Sequence, residues 1–349
     1  MSQVINRAST SSAPIKAIAL FSGGADSMLA ARLIRLQGIE VSAVYFSTCF
    51  FNKTDNDLER LHSLCRKLEI EFESVFLGDD YIRMLADPKF GYGNAFNPCI
   101  DCHVMMLQTA RAMMPAKGAS FIISGEVLGQ RPMSQHLQAL NRVERESGLR
   151  GRLLRPLSAK LLPPTFPELK RIVDRSKLLD LSGRSRKRQI ELARNLGIDD
   201  LPGSGGGCAL TEKAFGNRAR DIFIHAPEGL PTCDDALLLR FGRHFRKHPS
   251  FKIVVGRNMS DNDRLEASAK PGDLLFTTPD RKRYVGPIAL ARGTIPHDDW
   301  TWIASLMLRY ADVDKGAPEQ VAARDHRGNL LKLVTALPMD PEQAKRHLI

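Results

Sequence analysis

A short apolar run, Lys16 to Phe21, gives way almost at once to a helical pattern, and the junction reads Ser22-Gly23-Gly24-Ala25-Asp26-Ser27. The run is read as a buried strand. Met28, Leu29, Leu33, Ile34 and Leu36 then recur at helical spacing, and Gly38 stops the helix. Adjacent glycines permit a tight turn and close backbone approach. The free N–H groups of the following helix point at whatever fills that turn, which suits an anion, nucleotide phosphate first. No Gly-Lys-Ser/Thr follows, so this is not a Walker A loop, and adjacent glycines do not fit the dinucleotide fingerprint. A ligand-free, serine-capped turn is the plainer reading of the same residues.

Strand-like and helix-like runs alternate onward: "EVSAVYF", "DNDLERLHSLCRKLE", "FESVFL", a helical run from Cys99 to Met114, "ASFIISG" and "GRLLRPL". Such alternation predicts an α/β fold, a doubly wound parallel sheet covered by helices. Ligands of such sheets bind beyond the carboxyl ends of the strands. Ser22–Ser27, Ser47-Thr48-Cys49 and Ser124-Gly125-Glu126 all follow strand ends, so they are expected to share one crevice. "SAKLLPPTFPELKRIVD" is expected to be a loop leading to a helix, "GRSRKRQIELARNLG" a basic helix and "LPGSGGGCAL" a glycine-rich loop. After Pro231 come the short strands "FKIVVGR", "DLLFTT", "YVGPIALARG" and "LLKLVTAL", with helix-like "DDWTWIASLMLRYADV" among them. The expected organisation is a tail over residues 1–14, a nucleotide-type domain over 15–230 and a smaller α+β domain over 236–349.

Bulk properties narrow the partners. The length of 349 residues suits two domains. No apolar run reaches membrane-spanning length, and the first residues carry no apolar signal segment, so the expected location is the cytoplasm. A net charge of +11 favours a polyanion such as RNA. Six cysteines in a chain of this kind point to metal binding or catalysis rather than to a disulfide framework.

Cys99 and Cys102 stand three residues apart behind an Asn-Pro pair that favours a first-turn position for Cys99. Residues i and i+3 share a helical face, and helix N-termini favour the thiolate that metal binding or attack needs. A lone CxxC also fits a redox pair, half a zinc site or chance. Cys208 follows three glycines that allow close backbone approach to a cofactor or RNA. Three thiolates would leave one position of a metal centre open. Cys65 and Cys233 are read as structural, Cys49 is left open, and His103 is read as a surface or polar-core residue that could also be a ligand.

The stretch SGGADS resembles the SGGxDS signature of the PP-loop ATP pyrophosphatases. That resemblance implies ATP cleavage between the α and β phosphates, with Mg²⁺, and activation of a carbonyl oxygen as its adenylate. Ser22, Gly23, Gly24 and Ser27 would hold pyrophosphate, and Asp26 would position the metal or reacting group. "SGEVLGQRPMSQ", "LLRPLSAKLLPPT", "DLSGRSRKRQIELARNLGI" and "GSGGGCALTEKAFGNRARD" resemble one branch, the tRNA thiouridine synthases, over about Lys16 to Asp221. This places Phe46, Gly125, Glu126, Gly129 and Gln130 at the nucleotide, and Arg131 and Ser134 near substrate or phosphate. It makes Cys99, Cys102 and Cys208 ligands of a 4Fe–4S cluster. The implied function is ATP-dependent tRNA uridine thiolation, with tRNA and a sulfur donor as partners. Arg184, Arg186, Lys187 and Arg188 are expected to form a basic stripe on one helix that contacts the RNA.

Thiouridine synthases often carry an N-terminal RNA-binding module, which this chain is read as lacking. Instead, "FKIVVGRNMSDNDRLEASAKPGDLLF" resembles NFACT-R type RNA-binding domains, best over roughly Phe241 to Pro287. RNA contact is therefore expected from the C-terminal side. Three other readings stand beside this one: a persulfide-based sulfurtransferase without a cluster, a PP-loop ligase forming an amide or amidine, and a non-catalytic RNA- or ribosome-binding protein.

Overall fold

The computed structural model describes residues 14–51, 54–198, 208–226, 229–279 and 286–349. The expected tail, apart from its last residue, and the glycines before Cys208 lie outside the described residues. The chain divides into two compact units. The first comprises Met1–Leu77, Asp87–Gly93 and Pro98–Gly207; the second comprises Gly78–Ala86, Asn94–Asn97 and Cys208–Ile349.

In the first unit, β1 (Lys16–Leu20), α1 (Ala25–Arg35), β2 (Glu40–Ser47), α2 (Asp55–Lys67) and β3 (Glu71–Phe76) follow in turn. After α3 (Gly78–Ala86), which belongs to the second unit, come α4 (Cys99–Lys117), β4 (Ala119–Ser124), α5 (Leu137–Glu146) and β5 (Leu153–Leu154). The short α6 (Phe166–Leu169) and α7 (Lys187–Asn195) complete it. The sheet is parallel throughout, in the order β3-β2-β1-β4-β5. The doubly wound parallel sheet expected from the alternation is present. Strands β1, β2 and β4 are near-continuous apolar runs because helices cover both of their faces. β3 is one of the two edge strands and is only partly buried, with Phe76 exposed.

Leu20 stands opposite Val44 on one side and Ser124 on the other. That register brings the loops after β1, β2 and β4 to the same end of the sheet. The chain winds outward from β1 through β2 and β3, then returns to place β4 on the other flank of β1. The β1/β4 boundary is thus the switch point where open α/β sheets bind ligands. The core beneath it joins Met28, Leu29 and Ile34 of α1 to Phe121 and Ile123 of β4 and to Ala193 of α7.

Local chemistry sets the helix ends. Thr54 and Asp57 form a capping box at the start of α2. Gly118, in the left-handed region at φ 62°, closes α4. The helix expected to follow the loop in "SAKLLPPTFPELKRIVD" is one turn long, and Arg171 takes a positive φ of 55° just past its end. The basic helix begins only at Lys187, with Arg186 as its N-terminal flanking residue.

The second unit adds α8 (Lys213–Ile224), α9 (Cys233–Leu238), β6 (Arg243–His248), β7 (Phe251–Val255), α10 (Met259–Ala267) and β8 (Leu274–Thr277). Beyond them lie β9 (Ala289–Gly293), α11 (Trp300–Arg309), β10 (Glu319–Asp325), β11 (Leu330–Ala336) and α12 (Pro341–Arg346). Its antiparallel sheet runs β11-β10-β8-β9-β7-β6. Period-two alternation sorts the side chains: Phe251, Ile253, Val255, Ala289 and Ala291 pack with α11, whereas Val254, Ile288 and Leu290 pack with Leu265 of α10. The α+β character was expected. Two strands were not: "RHFRKH" hides β6 beneath its basic residues, and the small Ala322 and Ala323 give β10 little apolar signal.

Candidate functional site

The turn between β1 and α1 is held by its own serines. Ser27 Oγ donates to the Gly24 carbonyl at 2.9 Å and accepts from the Ser22 backbone N–H at 3.3 Å. Ser22 Oγ accepts from the Gly24 N–H at 3.3 Å. Gly23 has φ 74°, and a Cβ there would fall 2.1 Å from Leu61 Cδ2. The left-handed conformation is what calls for glycine there, since the tip of Leu61 could turn aside. Gly125 packs against the same turn from β4: a Cβ on it would sit 2.6 Å from both the Asp26 carbonyl carbon and the Ser27 nitrogen.

A cleft of about 290 Å³ opens over this junction. Ser22, Asp26, Ser27, Phe46, Gly125, Glu126, Gln130 and Arg131 line it, so the structure brings these sequence-picked residues together. Gly23 and Gly24 shape the turn beneath. Asp26 Oδ1 and Gln135 Oε1, both from residues lining the cleft, are buried and have no hydrogen-bond partner within the protein. Buried acceptors left open at the mouth of a helix N-terminus are suited to a metal-bound phosphate or to ligand N–H and O–H donors.

Sequence reasoning missed a buried network beside the turn. Glu126 Oε2 accepts from Ser124 Oγ and from Arg155 Nε, each at 2.9 Å. Its Oε1 lies 3.1 Å from His103 Nδ1. Arg155, itself buried, also donates to Glu144 Oε2 at 3.1 Å and to the Leu140 carbonyl at 3.2 Å. Burial alone would raise the Glu126 carboxyl; the Arg155 charge and the His103 hydrogen bond outweigh it and hold the group at about 2. Glu126 is therefore an ionised, acceptor-only carboxylate. Two of its partners, His103 and Arg155, are 23 and 29 residues away, and only the β4–β5 pairing and the start of α4 bring them in.

Cys99 opens α4 as expected, and Cys102 follows one turn on. Cys99, Cys102 and Cys208 are each half-buried. Among the described residues, no three or more His, Cys, Asp or Glu side chains are gathered as a metal site. Cys65 is buried, and burial pushes its thiol up to about 12, which makes it inert. The basic stripe is not on one helix. Arg184 lies exposed ahead of α7, Arg186 flanks it, and only Lys187 and Arg188 are within it. Arg188 donates to Asp180 at 2.6 Å.

Residues 13–160 match the family model described as thiamine biosynthesis protein (ThiI), and residues 242–348 match that described as NFACT protein RNA binding domain. Neither match covers half of the chain. The tRNA-specific 2-thiouridylase MnmA of Psychromonas ingrahamii is 28% identical over 142 residues, 38% of this chain and 39% of that protein. The chain thus spans well under half the length of that relative. A 4-thiouridine synthetase–RNA complex with bound ATP is similar at TM-score 0.39 and 21% identity, covering 53% of this chain and 42% of that one. The U34-tRNA thiolase NcsA of Methanococcus maripaludis, solved with its [4Fe-4S] cluster, gives TM-score 0.33 and 17% identity, covering 65% and 73%. The ThiI-type match contains the serine–glycine turn, Cys99, Cys102, Glu126 and Arg155; the NFACT-R-type match contains the whole antiparallel sheet.

Proposed function

We propose that this chain is an ATP-using tRNA sulfurtransferase that thiolates a uridine. The observation that carries the reading is the open end of the serine–glycine turn: a helix N-terminus, a glycine from β4 packed on its backbone, and the unsatisfied Asp26 and Gln135 oxygens in one cleft. ATP would lay its phosphates on Ser22–Ser27, and Mg²⁺ would take the free Asp26 oxygen. Positioning and charge neutralisation would then favour attack of the uridine carbonyl oxygen on the α-phosphate. The O–P bond forms as the bond to pyrophosphate breaks, and a sulfur nucleophile later displaces AMP. The NFACT-R-type match and the net charge of +11 support an RNA substrate, and the MnmA relative supports tRNA.

Cys99, Cys102 and Cys208 are the sulfur-handling residues in this reading. As soft thiol donors they suit a 4Fe–4S cluster, which when bound would supply an open iron for a sulfide. A persulfide on one of the same thiols is the second reading. It needs only a thiolate and a donor of sulfane sulfur, with a second of these thiols to resolve the disulfide. Protein purified without oxygen separates the two: brown colour with broad visible absorption supports the cluster, and colourless active protein supports the persulfide.

The overall reading is tested by nucleoside mass spectrometry of tRNA from cells with and without the gene. Loss of one thiolated nucleoside supports it. An unchanged profile, with no pyrophosphate released from ATP and tRNA in vitro, removes it. Activity that survives replacement of all three cysteines by serine would favour amide or amidine ligation.

A further inference from the structure

Both oxygens of Glu126 are engaged by protein groups. One oxygen is taken by two donors, Ser124 Oγ and Arg155 Nε, and the other faces His103 Nδ1. The Arg155 guanidinium is donor-only and is pinned in turn by Glu144 and the Leu140 carbonyl, so this arrangement cannot be inverted by rotating a side chain. An ionised carboxylate beside an imidazole nitrogen selects the tautomer with hydrogen on that nitrogen. His103 Nδ1 therefore carries the hydrogen, and the lone pair of that tautomer lies on Nε2. The His103 side chain remains 31% exposed and lines the cleft with Asp26, Gln130 and Gln135.

We infer that His103 is a ligand-reading residue, held by Glu126 in the tautomer that offers Nε2 as a hydrogen-bond acceptor to an N–H donor of a nucleobase in the cleft. Glu126 is a positioning residue that acts through the imidazole rather than by touching the ligand. The inference rests on the cleft being a nucleotide or nucleobase site, as proposed above. Two bases could present the donor: the exocyclic amine of the adenine of ATP, or N3–H of the target uridine. The shared chemistry is a base N–H, and an acceptor there rejects a ligand that offers only a lone pair or a methyl group.

The carboxylate anchors also define a clean perturbation. In Glu126→Gln, the amide oxygen must stay on the Arg155 side, because a guanidinium cannot accept a hydrogen bond. The amide NH₂ is then turned onto His103 Nδ1. The imidazole responds by moving its hydrogen to Nε2, which changes the group facing the ligand from acceptor to donor.

The test uses the full chain with ¹⁵N-histidine, at about pH 8.5 so that ordinary imidazoles are neutral. Two-bond ¹H–¹⁵N correlations report the tautomer, and His103→Gln assigns the signal. The expected result is Nδ1–H in the native protein and Nε2–H in Glu126→Gln. Binding of ATP against inosine triphosphate, and of a uridine oligonucleotide against its 3-methyluridine counterpart, then identifies the base. One pair should show a native preference of about tenfold or more, lost or reversed in Glu126→Gln. A role confined to packing would not move either readout in this way. Native His103 with hydrogen on Nε2 overturns the inference without any variant being needed, as do preferences that are the same in both proteins. Native protein that binds neither ATP nor the oligonucleotide overturns this inference and the proposed function together. Binding with the wrong tautomer overturns this inference alone.

Discussion

Gly125 lies against the peptide that joins Asp26 to Ser27, so close that a Cβ on Gly125 would stand 2.6 Å from two of its backbone atoms. The β4 end and the β1–α1 turn are therefore fitted to each other through bare backbone. Gly125→Ala must push the turn aside. We expect a loss of about 1–3 kcal/mol in stability, typical of overpacking, and a larger loss in ATP affinity. Urea unfolding and nucleotide titration measure the two; unchanged ATP affinity would separate Gly125 from the site.

Asp26 is the converse case. Its Oδ1 makes no hydrogen bond within the protein, so the fold does not depend on that atom. Asp26→Ala is expected to unfold at nearly the native urea midpoint while pyrophosphate release from ATP and tRNA falls by at least about 100-fold. Release close to the native rate would take Asp26 out of the mechanism.

Arg155 holds the charge of Glu126. Arg155→Met leaves a buried carboxylate uncompensated, at an expected cost of about 3–5 kcal/mol. The double change Arg155→Met with Glu126→Met removes the stranded charge and should recover most of that loss. The native group also sets an acid limit. Its folded value of about 2 lies below the ordinary 4.5, so its stabilisation is complete above pH 4.5 and is lost as pH falls from 4.5 towards 2. Acid titrations of the native protein and the double variant should diverge in that window.

In the second unit, Lys252 is buried against Asp221 at 3.0 Å. Burial lowers its amine from 10.5 to about 8, although Asp221 works against the shift. Between those values the unfolded chain binds more protons than the folded one, so stability rises with pH across the window. Asp221 keeps two bonds from Arg246, at 2.6 and 2.9 Å, whether or not Lys252 is present. Lys252→Met should therefore be at least as stable as native at about pH 7 and should lose the alkaline rise. Urea midpoints at about pH 7.5 and 9.5 check both parts.

Among the basic residues, Arg184 is exposed ahead of α7 and Arg188 is joined to Asp180. Neutralising Arg184 and Lys187 together should weaken tRNA binding and reduce its salt slope by about 2, whereas Arg188→Ala should change the slope by less. Equal slopes in all three proteins would place the RNA elsewhere.

The parts legible in the sequence were those written within one local stretch. Ser22–Ser27 lies between a strand and a helix, and both the turn and its place at a sheet end followed from Leu20, Gly23 and Met28. Cys99 at the first turn of α4 followed from Pro98. The Glu126 network did not, because Ser124, His103 and Arg155 meet only through tertiary structure and carry no shared spacing. β6 was hidden because its apolar Phe245 sits among cations, and β10 because alanine fills a core without advertising it.

The sheet order has a consequence for how the protein is made. Strand β1 emerges first from the ribosome, yet one of its two neighbours, β4, is translated about a hundred residues later. The serine–glycine turn cannot acquire the backbone of Gly125, nor the cleft its far wall, until that segment has left the exit tunnel. A nascent chain stalled before β4 holds every residue of the signature but not the finished cleft. Nucleotide capture on translating ribosomes should therefore switch on with chain length in one late step, set by the arrival of β4 rather than by synthesis of the motif itself.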